Sequence, residues 1–155
     1  MRDDVQQILI ALTDKLKNKI SLLQNIHNRE IDKRHLIRSE SIDQLLSELK
    51  EDDHLFQEID LLDYEISSLK GKLCEIAGIS SSQLQQYIIT TDSPPCREYV
   101  ETIQHLQTLM REVVQDREKS ISVMESKYRE LQSDITSLHT LLRLKMPESD
   151  FEDST

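Results

Sequence analysis

From about Val100 to Lys145 the chain carries an apolar residue at alternating spacings of three and four. Val100, Ile103, Met110, Val114, Ile121, Met124, Tyr128, Leu131, Ile135, Leu138 and Leu142 form this seam, and only Gln107, Arg117 and Lys145 interrupt it. No Gly or Pro falls inside the run. A seam of that period and length fits one long helix lying against other helices in coiled-coil fashion. At about 1.5 Å per residue it spans on the order of 70 Å. Such a helix is a strut or a binding rail, not the wall of a closed catalytic pocket.

The segments before it have the same character. Val5, Leu9, Leu12, Leu16, Leu23 and Ile26 predict a first helix over about 3–37. Beyond Ile26 its seam positions become Glu30 and Lys33, an interval expected to be a loosened or solvent-facing end. Ser41 with Gln44 three residues later has the pattern of a capping box and predicts a new helix over about 42–77. In that helix Ile42, Leu45, Leu46 and Leu49 sit out of phase with Leu55, Ile59, Leu62, Ile66, Leu69 and Leu73. The phase shift at Glu51-Asp52-Asp53 predicts a stutter or a change of packing partner. Gly78 is placed to end the helix in a left-handed conformation. Residues 78–94 read as a linker in which Ser81 or Ser82 caps one or two helical turns through Tyr87. The Pro94-Pro95 pair then starts a last helix over about 95–145. The expected architecture is all-α, an elongated antiparallel helical hairpin plus a long third helix forming a coiled-coil-like three-helix bundle. Residues 1–147 form a single domain, and the acidic stretch 148–155 is expected to be disordered.

Composition agrees. Two Gly and three Pro in 155 residues leave little material for hairpin turns, and aromatics make up only 4%. The formal net charge of −10 repels phosphate backbones and anionic membrane surfaces, so neither nucleic acid nor membrane insertion is expected. Cys74 and Cys96 read as reduced thiols, and no apolar stretch is long enough for a signal core or a membrane span. The expected location is cytoplasmic.

No chemistry-bearing constellation emerges. The histidines, His27, His35, His54, His105 and His139, include no pair three or four apart, and all five read as solvated or rim residues. There is no Cys-x-x-Cys and no His-Glu-x-x-His. Glu51-x-x-His54 occurs once, whereas a di-metal bundle needs two copies. Two Gly exclude a phosphate-cradling loop. No enzyme activity and no cofactor is expected.

Interaction is what the seam offers. Most of it is expected to be core, covered by the first two helices. Three helices of unequal length cannot cover one another end to end, however. Strips beside the seam, such as Leu106, Leu109 and Val113, are expected to lie exposed and to need a helix from another chain.

In the order Leu16-x3-Ile20-x2-Leu23-x2-Ile26, Asn28-Arg29-Glu30-Ile31, Ser41-Ile42-Asp43-Gln44-Leu45-Leu46, Leu49-Lys50-Glu51 and Leu55, then Ile59, Leu62, Glu65, Leu69 and Leu73 before Gly78, the chain resembles the FlgN family of flagellar type III export chaperones. Family members similarly run a Leu-rich helix into a short acidic break, a second long helix ending near Gly, a variable linker and a long last helix. The departure is Gln115-Asp116-Arg117-Glu118-Lys119-Ser120, where the family often has Asn-rich positions. The resemblance implies a cytoplasmic, non-enzymatic chaperone, monomer or dimer, that binds the C-terminal helices of hook–filament junction proteins and delivers them to the export gate. Placed on this seam, client contact falls on Ile103, Met110, Val114, Ile121, Met124, Tyr128 and Leu131. The competing reading is a structural coiled-coil subunit of a permanent homo- or hetero-oligomer.

Overall fold

The computed structural model describes residues 2–145 as helices α1 (Asp3–Arg38), α2 (Ile42–Ala77), α3 (Leu84–Thr91) and α4 (Pro94–Lys145), with a 3-10 turn at Ser81–Gln83 leading into α3. The acidic tail and the Met146-Pro147 stop lie outside the described residues.

Helix α1 begins with Asp3 and Asp4 at its positive end and finishes with His35 and Arg38 at its negative end, so both termini complement the helix dipole. The chain then reverses within three residues through Glu40, which takes a left-handed φ of 59°. The expected capping box at Ser41 does not form. Its hydroxyl lies 3.0 Å from the Ser39 hydroxyl, because the tight reversal holds the two serines together. Helix α2 stops at Gly78 with φ 70°, and the Ile79 N–H donates to the Cys74 carbonyl at 3.0 Å. A side chain at this position strains the left-handed backbone, which is why glycine stands there. The cap of the linker turn is Ser80, one residue earlier than expected, and the Ser80 N–H donates to the Gln83 side chain at 3.0 Å. Helix α3 continues past Tyr87 to Thr91.

Ion pairs record the topology. Lys15–Glu65 (2.8 Å) and Lys19–Asp63 (2.6 Å) at one end, with Arg29–Asp52 (3.1 Å) at the other, make α2 antiparallel to α1. Lys17 with Glu98, Arg34 with Asp116 and Lys127 with Glu40 make α4 parallel to α1. Helix α1 is therefore the central element: α2 and α4 each pack along it and scarcely meet one another. The core combines Leu9, Leu12 and Ile26 of α1, Leu55, Ile59 and Leu73 of α2, Ile88 of α3, and Cys96, Tyr99, Leu106, Leu109 and Val113 of α4. Cys74 and Cys96 are both buried free thiols.

The unequal helix lengths have a direct result. The α1–α2 turn lies opposite Lys127, which holds Glu40 at 2.9 Å. From Tyr128 helix α4 continues past the other described helices, and every residue from there to Leu144 is exposed. At 1.5 Å per residue this overhang reaches about 27 Å past the hairpin.

Candidate functional site

Helix α4 carries two apolar stripes, offset from each other by a single residue. The inner stripe, Tyr99, Leu106, Leu109 and Val113, is the face that α1 covers: Leu109 is 2% and Val113 6% exposed. Thr102 and Ser120 lie on the same inner face, where small side chains let the helices approach. The outer stripe is the one that stays open. Val114 is 55% and Met124 52% exposed, and the stripe continues through Met110, Ile121, Tyr128, Leu131, Ile135, Leu138 and Leu142. The expectation that Leu106, Leu109 and Val113 lie exposed is thus corrected. So is the expectation that most of the seam is core. The two stripes share the same three-four spacing, and sequence alone does not say which of them turns toward α1.

Of the residues singled out for client contact, Ile103 packs against the core, whereas Met110, Val114, Ile121, Met124, Tyr128 and Leu131 stand on the open stripe. At 100° per residue, Met110, Val114 and Ile121 lie roughly 60–100° round α4 from Val113. Arg117, on the same side, stacks on Phe56 of α2 at 4.7 Å from the ring centroid. That contact shows the open stripe turning toward α2, so it forms one wall of a groove. Near the hairpin tip the groove is about 170 Å³, with Ile121 and Met124 on one side, Leu45 and Leu49 on the other, and Ile37 on the floor. The out-of-phase apolar residues of α2 find their place here. Leu45 and Leu49 edge the groove, and Ile42 and Leu46 are exposed beside it.

Beneath this groove lies a buried ionic cluster. Glu30 is 2%, Lys33 4% and Asp52 2% exposed, which corrects the expectation of a solvent-facing end to α1. Lys33 donates to Glu30 at 2.6 Å and also to Asp52. Arg29 donates to Glu48 at 2.9 Å and to Asp52 at 3.1 Å. Ser120 of α4 closes the cluster by donating to the second Glu30 oxygen at 2.7 Å. Burial pushes the Glu30 carboxyl up, but the hydrogen bonds from Lys33 and Ser120 and the charges of Lys33 and Arg117 outweigh it and hold it below the ordinary carboxylate range. All three long helices contribute to this knot, so it fixes their register at the mouth of the groove. The α2 phase shift has its cause here too: the positions that face α1 are given to Glu48 and Asp52 instead of to leucines.

His27 lies half-buried at the rim of the bundle, with Nδ1 3.1 Å from the Asp116 carboxylate. It stands beside α4 at mid-bundle. Among the described residues no group of His, Cys, Asp and Glu is placed to hold a metal ion. No described helix is long and apolar enough to cross a membrane. Compared with known proteins, the chain matches no family model, no curated protein and no solved structure.

Proposed function

We propose that this chain is a helix-binding chaperone of the flagellar type III export kind. It holds the C-terminal amphipathic helix of a hook–filament junction protein until that protein reaches the export gate. The observation that carries the reading is the outer stripe of α4, apolar from Met110 to Leu142 except at Arg117 and left exposed by the other described helices. A client segment that forms a coiled coil only after assembly is an unpaired amphipathic helix beforehand, prone to self-association. Seated in the groove it becomes a fourth helix, with apolar residues at i, i+3, i+4 and i+7 against the stripe. Burial contributes about 25 cal/mol per Å² of apolar surface, and ordering the client offsets much of that. The outcome is a reversible complex, suited to release, and no nucleotide is needed.

The test is light scattering on the size-fractionated protein, alone and with a peptide from the C-terminal helix of a junction protein. A stoichiometric complex is expected, and it should be lost in Val114→Asp and Met124→Asp. Both residues are exposed, so the free variants stay helical. Failure of the wild-type chain to bind the peptide would overturn the reading. The uninterrupted stripe from Tyr128 to Leu142 favours one second reading, a structural coiled-coil subunit of a permanent homo- or hetero-oligomer, and a stable oligomer indifferent to the peptide would establish it.

A further inference from the structure

The open stripe has an internal symmetry that the client reading does not use. Its two ends, Met110 and Leu142, lie equally far from Ser126. Half of the stripe sits on the three-helix body and half on the overhang. Laid antiparallel against a second copy about that midpoint, Met110 faces Leu142, Val114 faces Leu138, Ile121 faces Leu131 and Met124 faces Tyr128, and each pair then recurs on the other side of the two-fold axis. These pairs match one seam position of each kind at every level, as antiparallel coiled coils require. The one polar member, Arg117, falls opposite Ile135. Its guanidinium is already engaged with Phe56 and lies 3.9 Å from Glu30, within its own body.

We infer that in the absence of another partner the chain forms an antiparallel homodimer, in which the overhang of each copy lies in the α2–α4 groove of the other as its fourth helix. Three features point to a second copy as the occupant. The stripe is exposed both on the body and on the overhang, and the overhang is the stretch of α4 that no other described helix covers. A parallel pairing would instead set body against body and leave each groove unfilled. The third is area. The stripe is about 50 Å long at 1.5 Å per residue and roughly 10 Å wide, on the order of 500 Å² per copy. The pair therefore buries about 1,000 Å², the lower bound for a specific interface. Leu45 and Leu49 add to it from the opposite wall. The inference stands without the client reading, although the two occupants would compete for one surface.

Sedimentation equilibrium of the full chain across the micromolar range, combined with cysteine cross-linking, tests it. The expected mass rises from 18.1 kDa toward twice that value. Ile121→Cys mixed with Leu131→Cys should form a disulfide-linked pair, whereas neither variant alone should. The native thiols are buried and contribute little background. Leu138→Asp, which lies beyond the hairpin and so leaves the fold intact, should weaken the dimer at least tenfold with an unchanged helical circular dichroism signal. A monomer throughout the range, Ile121→Cys coupling to itself, or a dimer untouched by Leu138→Asp would each overturn the inference. A monomeric chain that still binds the junction peptide would leave the client reading standing, whereas a cross-linked dimer that ignores the peptide would overturn that reading and keep the dimer.

Discussion

Lys33 reaches across from α1 to Asp52 while holding Glu30 on its own helix, and none of the three is more than 4% exposed. Removing the cation alone leaves two buried carboxylates facing each other. Lys33→Met is accordingly expected to cost about 3–5 kcal/mol in urea denaturation at neutral pH. Replacing Glu30, Lys33 and Asp52 together by apolar residues of similar volume should cost far less, since the desolvation of all three disappears with them. The sign of the pH effect follows from Glu30. Its folded pKa lies below the ordinary 4.5, so its contribution is complete above that value and is lost as the pH falls below it. Glu30→Gln should flatten the acid limb of a stability–pH curve measured by chemical denaturation. In the sequence this cluster was visible only as an interruption of a seam. Its partners on the other helices stand 19 to 90 residues away, and an acidic triplet beside a phase shift does not announce that one of its members, Asp52, turns inward.

At the scale of the helices, the elements were legible because apolar spacing and a few terminators define them. The expected helices at 3–37, 42–77 and 95–145 differ from the observed ones by no more than one residue at either end. The two glycines separate these roles. Gly71 lies mid-helix with nothing within 4 Å of an added Cβ, so Gly71→Ala should stabilise by about 0.5–1 kcal/mol. Gly78 has equal room but φ 70°, and Gly78→Ala should destabilise by about 1–2 kcal/mol. Thermal melts of the two variants should move in opposite directions. The face of α4 was not legible. Leu109 and Met110 are adjacent and belong to stripes of the same period, and the buried Thr102 and Ser120 lie in line with the inner one. Leu109→Ala should cost about 3–5 kcal/mol through a lost core contact and a cavity. Met124→Ala, on the open stripe, should change stability by no more than about 0.5 kcal/mol.

For the whole molecule, the defining relation is between a body of three helices and one helix that outruns it. Truncation after Lys127 removes no core residue among the described residues and keeps the Glu40 contact, so the thermal midpoint should stay within a few degrees of wild type. The same truncation should abolish capture of a helical partner, read by light scattering, because half of the stripe is gone. Helix α4 is continuous through Lys127, yet its backbone is guarded in two different ways. Amides behind α1 open to solvent only when the body unfolds, whereas those beyond the hairpin are held by the hydrogen bonds of a single helix and open by fraying from the tip. Deuterium should therefore enter α4 as a front that advances from Lys145 and halts near Lys127. Any helix that seats on the overhang should hold that front back at the tip, so the exchange rate of a few amides reports whether the surface is occupied.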